Sequence, residues 1–450
     1  MELSGKRVLV VGLGRTGIDT VRFLARRGAE IVATDEKPAS ELQEAFAALA
    51  EVRHRFTFSA GVAAAGPGID LVVPSPGVAP SNGILTGAVK RGIPVMSELE
   101  LAGRFLRRPM IAITGTNGKT TTTTLVGEIM KKAGKKVFVG GNIGCPLIGF
   151  VDGKQEAEYA VVEVSSFQLQ WTRRFRPDVA VLLNVTPDHV DYHGSFADYR
   201  RVKERIFENQ TARDRAVLNA GDPLTAGLSA RLAAEIACFS ASGKVRRGMF
   251  PDRGNLVHCR GPEDAEEVYP LDIIRIPGAH NLENVMAAIM VSRVSGCSRE
   301  AIIQAVQGFR GIAHRIEFAG EKGGIAFYDD SKATNVGAVM RALETFSRPV
   351  ILLMGGRDKE GDFASLAVPV RDRVKRLVLF GEARAGIGEQ IGGVVETDPA
   401  ATLHDAMERA WHHAAPGDVV LLSPGCASFD EFTDYRARGD FFKKWVGSLS

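Results

Sequence analysis

The chain has 450 residues, of which 45% are hydrophobic and 24% are charged, and its formal net charge is +3. At about 150 residues per domain, this length predicts about three domains of a globular protein. The basic residues form no tail or stripe, so no nucleic acid partner is expected. No apolar run approaches the ~20 residues that a membrane-spanning helix needs, and the chain enters its first predicted strand without a leader. We therefore expect a cytoplasmic protein with no membrane insertion.

The first segment, residues 1–98, alternates strand and helix patterns, which predicts a parallel, Rossmann-like sheet. Gly12, Gly14 and Gly17 form the pattern G-x-G-x-x-G directly after the first strand. Asp35 lies at the tip of the next strand. This pattern places a phosphate at a helix N-terminus and an acid near a ribose or base. Because any nucleotide satisfies it, NAD remains an alternative, as does a glycine turn that serves packing alone.

A second series of strands and helices begins with a loop that reads GTNGKT, between an apolar strand and a threonine-rich helix. Gly115 and Gly118 allow backbone N–H groups to approach an anion closely. Lys119 adds a positive charge, and Thr120 offers a hydroxyl to Mg²⁺. The general pattern G-x-x-x-x-G-K-[ST] requires a glycine at position 113, where the chain has Ile113. The order of strand, turn and helix still favours a nucleoside triphosphate site over an ordinary turn.

Polar residues follow several other predicted strands of this segment. Asn142, Glu163 and Asn184 each stand where an apolar run ends, and His189 follows soon after Asn184. In open α/β sheets, ligands bind beyond the carboxyl ends of the strands, so the pattern predicts an ATPase domain with a mainly parallel sheet. Glu163 suits Mg²⁺ because hard cations prefer oxygen ligands. A surface glutamate or a helix cap is the alternative at that position.

Two other charged groups carry weaker signals. The loop TPDHVDYHG places Asp188, His189, Asp191 and His193 close together. No other His or Cys has the spacing to complete a transition-metal site, so a polar loop with one or two ligands is favoured.

Lys203 stands among arginines in ADYRRVKERIFE, and composition alone predicts a solvated basic helix face there.

The third segment, residues 312–450, alternates strands and helices again and predicts another Rossmann-like domain. Arg315 follows a glycine-containing linker and could bridge a phosphate, with a surface arginine as the alternative. Asp330, Ser331, Lys332 and Thr334 form a dense polar cluster at the end of a strand. Lys332 suits a carboxylate or phosphate partner, because an ammonium group pairs with either anion.

Eight motifs then occur in a fixed order over nearly the whole chain: GTNGKTTT, EVSSFQL, NVTPDHVDYHGS, HNLENVMAA, HR, DDSKATN, GGRDK and LLSPGCASFDEF. Together they resemble the ATP-dependent Mur ligases. DDSKATN and SPGCASFD resemble the members that add D-glutamate to UDP-N-acetylmuramoyl-L-alanine, whereas sister ligases differ at these motifs. The resemblance implies a UDP-substrate domain at 1–98, a central ATP and Mg²⁺ domain at 99–311 and an amino-acid-binding domain at 312–450.

The resemblance also assigns roles to individual residues. Contacts with the UDP substrate fall to Gly14, Arg15, Thr16, Asp35, Ser75, Gly77, Asn142 and His189. Contacts with ATP fall to Gly115, Thr116, Asn117, Gly118, Lys119, Thr120, Thr121, Asn281, Asn284, Arg315 and Asp330. Two Mg²⁺ ions are expected on Thr120, Glu163, His189 and a carbamylated Lys203, and the catalytic set is Lys119, Glu163, His189 and Lys203. Contacts with the amino acid fall to Lys332, Thr334, Lys359, Ser428, Phe429 and Tyr435.

The implied reaction is ATP-dependent amide ligation through an acyl phosphate, in peptidoglycan precursor synthesis, by an enzyme expected to act as a monomer on small-molecule substrates. Three alternatives remain at this point. A sister ligase would use another amino acid. An NAD-dependent oxidoreductase would use the N-terminal G-x-G-x-x-G segment but leave GTNGKT and DDSKATN idle. A nucleotide-switch binding protein would hydrolyse ATP without needing an amine site.

Overall fold

The computed structural model describes residues 1–62, 64–261, 266–358 and 361–449. The chain forms two compact units, which are Met1–Ile274 with His280–Gly308 and Arg275–Ala279 with Phe309–Ser450. Within the described residues, the first unit contains a four-stranded and a nine-stranded sheet, and the second contains a six-stranded sheet.

The N-terminal sheet of the first unit is parallel, with the strand order β3-β2-β1-β4. Its strands are β1 (Arg7–Val11), β2 (Glu30–Thr34), β3 (Phe56–Phe58) and β4 (Leu71–Pro74). The helices of this segment are α1 (Arg15–Arg26), α2 (Gln43–Ala48) and α3 (Gly83–Lys90). The helix α4 (Glu98–Gly103) follows, and the Ser97 hydroxyl caps its N-terminus by accepting from the Glu100 N–H.

The second sheet of this unit has the order β13-β12-β11-β10-β9-β8-β5-β7-β6. Its strands are β5 (Met110–Thr114), β6 (Val137–Gly141), β7 (Tyr159–Glu163), β8 (Val179–Leu182), β9 (Arg215–Asn219), β10 (Glu235–Phe239), β11 (Gly248–Asp252), β12 (Asn255–Cys259) and β13 (Glu267–Pro270). The pairs β11–β12 and β12–β13 are antiparallel, and the other pairs are parallel. The prediction of a mainly parallel central sheet is confirmed.

The helices around this sheet are α5 (Lys119–Lys132), α6 (Leu147–Asp152), α7 (Ser166–Leu169), α8 (Val190–His193), α9 (Phe196–Glu204), α10 (Pro223–Ala226), α11 (Ala279–Val294) and α12 (Arg299–Gly308). All five residues of β5 are buried, as are all of β8. A strand covered on both faces reads as a continuous apolar run, which is why MIAIT and VAVL show no alternation. One apolar core extends from β1 through α4 and α6 to β5 and β7.

The second unit contains the sheet β14-β15-β19-β16-β17-β18, in which the pair β14–β15 is antiparallel and the others are parallel. Its strands are β14 (Glu317–Lys322), β15 (Ile325–Asp329), β16 (Val350–Gly355), β17 (Val374–Phe380), β18 (Thr397–Pro399) and β19 (Val419–Gly425). Its helices are α13 (Val336–Glu344), α14 (Ala367–Arg373), α15 (Arg384–Ile391), α16 (Leu403–His413) and α17 (Tyr435–Ser448). The predicted α/β class is therefore confirmed along the chain.

Short 3₁₀ helices connect several of these elements, at Ala39–Glu41, Ala50–Arg55, Arg205–Phe207, Leu271–Ile273 and Phe363–Leu366. Among the described residues, no helix combines the length and the apolar character that a bilayer crossing requires.

Candidate nucleotide and magnesium site

The GTNGKT loop presents the N-terminus of α5 at the carboxyl end of β5. Gly118 precedes the helix with a φ of 83°, a conformation that favours glycine. A Cβ atom there would lie 2.0 Å from Oδ1 of Asn284, so a larger side chain does not fit. The first N–H groups of a helix have no partner inside it, and the helix dipole adds to their attraction for an anion. The loop therefore fits the phosphates of a nucleotide.

Hydrogen bonds from Asn184, which follows β8, and from Lys119 of α5 fix the shape of this loop. The Asn184 side chain accepts from the Asn117 N–H at 2.9 Å and donates to the Asn117 carbonyl at 3.2 Å. The Lys119 ammonium donates to the carbonyls of Gly115 at 2.9 Å and Thr116 at 2.8 Å. A cation is thus already held at the loop, where it would oppose phosphate charge. The sequence marked Asn184 as a residue at a strand end but assigned it no role.

Glu163 ends β7, the neighbour of β5, and its side chain is buried with one oxygen unpaired. Its Oε1 accepts from Nδ2 of Asn142 at 2.8 Å. Its Oε2 has no hydrogen-bond partner among the described residues, although the residue is only 1% exposed. A buried polar atom without a partner costs free energy, and a carboxylate oxygen is a ligand that Mg²⁺ prefers. The donor set at this strand end therefore fits a magnesium ion.

Lys203 lies on the inner side of α9, with 1% of the residue exposed. Its Nζ donates to the Gly115 carbonyl at 2.8 Å and lies 4.7 Å from the centre of the Tyr199 ring. Burial, and then the charge of Lys119, lower the pKa of the Lys203 amine well below its ordinary value. The neighbouring Arg201 is exposed, but at Lys203 itself the prediction of a solvated basic face is wrong.

The TPDHVDYHG loop brings its histidines next to aromatic side chains. The exposed ring of His189 lies 4.8 Å from that of Phe167 and 6.4 Å from that of Tyr199. His193 shares a hydrogen bond of 3.0 Å with the Ser166 hydroxyl. The Tyr199 hydroxyl in turn lies 3.0 Å from Oγ1 of Thr116. This loop therefore connects through Tyr199 to the GTNGKT loop.

Two asparagines of α11 face the start of α5. Oδ1 of Asn284 accepts from the Thr122 hydroxyl at 3.4 Å, and its Nδ2 donates to Oδ1 of Asn281 at 3.2 Å. Asn284 is buried. Thr120 is half-buried and Thr121 is buried, both in the first turn of α5. The structure thus gathers the predicted nucleotide residues of the first unit around one helix terminus.

The N-terminal glycine turn is held by two side chains of the neighbouring strands. Asp35 accepts from the Leu13 N–H at 2.7 Å and from the Lys37 N–H at 3.0 Å. The Ser75 hydroxyl donates to the Gly12 carbonyl at 2.9 Å. A Cβ atom on Gly17 would lie 1.9 Å from the Gly12 oxygen, so this glycine permits close packing of α1. Asp35 orders the turn itself, whereas the G-x-G-x-x-G pattern predicted an acid that contacts a ribose or base.

The other predicted N-terminal residues lie on the rim of this turn. Gly14, Arg15 and Gly77 are exposed, and Thr16 is half-buried. The carbonyl of Thr16 accepts from the Thr20 hydroxyl at 2.8 Å. The exposed backbone at the start of α1 leaves room for a ligand beside the turn.

In the second unit, Asp330 is buried and its two oxygens have internal partners. Oδ2 accepts from the Ser423 hydroxyl at 2.8 Å, and Oδ1 accepts from the Ile316 N–H at 3.2 Å. Burial raises the pKa of Asp330 to about 7. The arrangement holds the end of β15 against β19, and the positive charge of Arg315 opposes the rise in the pKa of this carboxyl.

The predicted amino-acid residues cluster at the carboxyl ends of β15 and β19. Nζ of Lys332 lies 5.6 Å from the centre of the Tyr435 ring. Thr334 is half-buried, Ser428 is buried and the Phe429 side chain is exposed. Lys359 lies outside the described residues.

Arg438 is a buried guanidinium that the sequence did not single out. It donates to the carbonyls of Ser331 at 2.9 Å, Cys426 at 3.0 Å and Ala427 at 3.3 Å, and to the Ser331 hydroxyl at 2.9 Å. It therefore fastens the DDSKATN segment to the SPGCAS segment. Arg438 lies in the polar first part of α17, YRARGD, next to another arginine, so no local pattern marks it for this role.

Three family models match successive parts of the chain. They are the Mur ligase MurD-like N-terminal domain at residues 6–97, the Mur ligase middle domain at 113–292 and the Mur ligase glutamate ligase domain at 314–426. The UDP-N-acetylmuramoylalanine--D-glutamate ligase of Syntrophus aciditrophicus is 57% identical over 100% of this chain and 99% of its own length. The enzyme of the same name from Geobacter metallireducens is 46% identical over 100% of this chain and 99% of its own length.

The chain belongs to the Mur ligase family. Solved structures of Mur ligases share its fold. The MurF ligase from Thermotoga maritima, in complex with ADP, matches with a TM-score of 0.59 and 18% identity over 100% of this chain and 97% of that chain. UDP-N-acetylmuramate-alanine ligase MurC from the same organism matches with a TM-score of 0.57 and 20% identity, over 99% and 100% of the two chains. The resemblance to Mur ligases read from the motifs is confirmed.

In this Mur ligase, the predicted site residues divide between the two compact units. The first unit holds the GTNGKT loop, Glu163, His189, Lys203 and the two α11 asparagines, together with the N-terminal glycine turn. The second unit holds Arg315, Asp330 and the described amino-acid residues.

Proposed function

We propose that this Mur ligase joins D-glutamate to UDP-N-acetylmuramoyl-L-alanine in an ATP-dependent reaction of peptidoglycan precursor synthesis. The observation that carries the proposal is that Oε2 of Glu163, buried beside the GTNGKT loop, has no hydrogen-bond partner in the described part of the chain. A buried carboxylate oxygen next to a phosphate-binding loop fits metal-assisted phosphoryl transfer. The relatives that are 57% and 46% identical are both named UDP-N-acetylmuramoylalanine--D-glutamate ligase, and the proposed amino acid and UDP substrate are taken from this name.

The reaction takes place in two steps. A carboxylate is a poor electrophile, so an oxygen of the L-alanine carboxylate first attacks the γ-phosphorus of ATP, and the bond to ADP breaks. The amine of D-glutamate then attacks the acyl carbon of the resulting acyl phosphate. Phosphate leaves with the electrons of the acyl–oxygen bond, and the amine gives up a proton. This reaction gives a role to GTNGKT and to DDSKATN, the two motifs that an NAD-dependent oxidoreductase would not use.

Each predicted residue has a part in these steps. Lys119 opposes the charge that develops on the β- and γ-phosphates. Thr120 and Glu163 would hold one Mg²⁺, and His189 with carbamylated Lys203 would hold a second. When bound, the ions would neutralise charge during phosphoryl transfer. Asn142, which donates to Glu163, contacts the substrate near its reacting carboxylate.

The remaining assignments place the substrates on the three domains. The UDP end lies against residues 1–98, ATP against 99–311 and D-glutamate against 312–450. Residues Gly14, Arg15, Thr16, Asp35, Ser75 and Gly77 serve the UDP end. Residues Lys332, Thr334, Lys359, Ser428, Phe429 and Tyr435 serve D-glutamate. We propose that the enzyme acts as a monomer in the cytoplasm.

Phosphate release tests this proposal directly. The protein is given Mg-ATP and UDP-N-acetylmuramoyl-L-alanine, with and without D-glutamate. Phosphate release that requires both UDP-N-acetylmuramoyl-L-alanine and D-glutamate supports the proposal. Glu163→Gln should abolish this release. Glu128→Gln, at an exposed position of α5, is the matched control and should retain full activity. Release with another amino acid but not with D-glutamate would indicate a sister ligase, and release that ignores every acceptor would overturn the ligase assignment.

A further inference from the structure

Glu98 is a buried carboxyl outside the proposed nucleotide site, and it contacts the segment that follows Asn142. It is the first residue of α4 and is 1% exposed. Its Oε1 accepts from the Ile148 N–H at 2.6 Å. Ile148 lies in the first turn of α6, directly after residues 141–147, which run from the last residue of β6 to the first residue of α6 and are called the 141–147 loop below. Glu98 therefore fixes the end of this loop.

Glu98 also contacts the segment that follows Glu163. The side chain of Gln168, in α7, acts on the Glu98 carboxyl and lowers its pKa, against the effect of burial. Oε1 of Gln168 accepts from the N–H of Ser165 at 3.0 Å and from its hydroxyl at 3.1 Å, within a capping box at the start of α7. Since Ser165 follows Glu163 closely in the chain, Gln168 belongs to the segment that directly follows the proposed metal contact.

The beginning of the 141–147 loop is fastened to Glu163 itself. The Asn142 N–H donates to the Glu163 carbonyl at 2.9 Å, and the Asn142 side chain donates to Oε1 at 2.8 Å. Within the loop, the Gly141 N–H donates to the Cys145 carbonyl at 2.8 Å. The loop is thus held at one end by Glu163 and at the other by Glu98.

We propose that Glu98 is a positioning residue, which holds the 141–147 loop so that the Asn142 amide stays aligned between Glu163 and the reacting carboxylate of the UDP substrate. This inference rests on the proposed function. A misplacement of a substrate contact by a fraction of an ångström lowers the rate, because the reacting atoms leave the near-attack geometry. Removal of a residue that orients a metal ligand or its partner lowers activity by about 10- to 100-fold.

The surroundings of Glu98 favour its uncharged form. Burial raises its pKa to about 7, with a smaller contribution from Asp19 on α1. Its Oε2 is buried and has no hydrogen-bond partner within the described part of the chain. A protonated carboxyl still accepts through Oε1, and a glutamine at this position would offer the same carbonyl oxygen. Glu98→Gln is therefore the conservative variant, and Glu98→Met keeps the side-chain length but removes the acceptor.

Glu100 provides a matched control on the same helix. It is also 1% exposed, and its oxygens accept from the N–H groups of Arg173 and Arg174 at 3.0 to 3.1 Å. Its loss would disturb α4 without removing a contact of the 141–147 loop. Glu100→Met therefore reports the general cost of losing a buried carboxyl in α4.

Steady-state kinetics and hydrogen exchange together test the inference, with rates expressed per folded protein. Glu98→Met should lower kcat/KM for the UDP substrate by about tenfold or more while the KM for D-glutamate keeps its wild-type value. Glu98→Gln should restore kcat/KM, and Glu100→Met should not reproduce the loss. In a double-mutant cycle, Glu98→Met should cost little further once Asn142→Ala is present, because both changes act through one contact. Unchanged kinetics in Glu98→Met, an equal loss in Glu100→Met, or additive losses in the cycle would each overturn the inference.

Hydrogen exchange of the peptide 141–150 requires no activity. Glu98→Met should increase its exchange relative to the wild type and to Glu98→Gln, and equal exchange in all three would overturn the inference. A wild type that releases no phosphate would instead count against the proposed function alone. If Glu98→Met does not fold, Glu98→Ala takes its place, because alanine also lacks the acceptor. Increased exchange in Glu98→Ala would then support the inference, and exchange equal to that of the wild type would overturn it.

Discussion

The side-chain amine of Lys203 donates a hydrogen bond of 2.8 Å to the carbonyl of Gly115. This bond joins α9 to the first glycine of the GTNGKT loop. The amine is buried, and Lys119 further disfavours its charge, so its pKa falls well below the ordinary value. An uncharged amine is a nucleophile, and with carbon dioxide it forms a carbamate, which replaces a cation by an anionic oxygen donor. The position therefore favours the proposed carbamylation.

Replacing Lys203 by alanine should lower ligase activity by about a hundredfold, because a metal-orienting group is lost. A short carboxylic acid such as acetate should restore part of the activity, since it can place an anionic oxygen in the vacated space. Lys119→Ala is the control, because acetate cannot replace a cation there. Initial rates with increasing acetate distinguish the two variants. Equal rescue of both, or rescue of neither, would contradict a carbamate at position 203.

Replacing Gly118 by alanine should weaken nucleotide binding and destabilise the fold. The position combines a φ of 83° with a Cβ atom 2.0 Å from Oδ1 of Asn284. Gly134 has a φ of 77° and nothing within 4 Å of such a Cβ atom. Gly134→Ala should therefore cost only the conformational strain of about 1 kcal/mol, with unchanged ADP affinity.

Urea unfolding and ADP titration compare the two glycine variants. Gly118→Ala should lose clearly more free energy of unfolding than Gly134→Ala and should bind ADP more weakly. If both variants lost the same free energy and kept their ADP affinity, the close contact with Asn284 would have no part in shaping the loop.

Much of the architecture could be predicted from local sequence patterns. Buried strands such as MIAIT read as continuous apolar runs, and a Gly-rich turn followed by Lys and Thr marks the start of α5. These signals depend on neighbours in the chain. The alternation of strands and helices then predicts a mainly parallel sheet without any knowledge of tertiary contacts.

The inward orientation of Lys203 depends on tertiary packing, and composition alone predicted the opposite orientation. Tyr199, Val202 and Ile206 are buried, and Lys203 lies on the same stripe of the helix. The spacing of three and four residues was visible in the sequence and could have placed the lysine on the inner face. The contacts of Asp35, Glu98 and Arg438 gave no comparable signal, because most of their partners are backbone groups that only the fold brings near.

Stability should fall as the pH rises towards 7, because Glu98 and Asp330 keep their protons in the folded protein. Burial raises the pKa of each to about 7, from ordinary values of 4.5 and 3.8. The unfolded chain loses these protons first, so folding stability declines between the ordinary and the raised pKa. Asp19 and Cys145 face Glu98, and both pKa values are themselves raised by burial.

Glu98→Gln removes one of these two titrations. The variant should be more stable than the wild type above pH 7 by about 3 kcal/mol, and the difference should vanish near a pH of about 4.5. Urea unfolding across this pH range measures the difference, with Glu128→Gln as the baseline for an exposed glutamate. A difference that is independent of pH would show that folding leaves the pKa of Glu98 unchanged.

Replacing Arg438 by lysine should weaken binding of the amino acid. The guanidinium reaches carbonyls of Ser331 and of Cys426 at once through Nη2, and an ammonium group cannot reproduce this planar fork. The DDSKATN and SPGCAS segments would separate, and with them Lys332 and Ser428. The KM for D-glutamate should rise by about tenfold or more, the equivalent of roughly 1.4 kcal/mol of lost binding.

Arg341→Lys is the control for this substitution, because Arg341 is exposed on α13 and pairs only with Glu344 among the described residues. It should leave every kinetic constant unchanged. The KM for ATP should rise less than the KM for D-glutamate in Arg438→Lys, since the GTNGKT loop belongs to the other compact unit and only Arg315 and Asp330 of this unit are assigned to ATP. A rise in the KM for ATP equal to that for D-glutamate would indicate general unfolding and would refute the specific role of Arg438 in holding the amino-acid segments together.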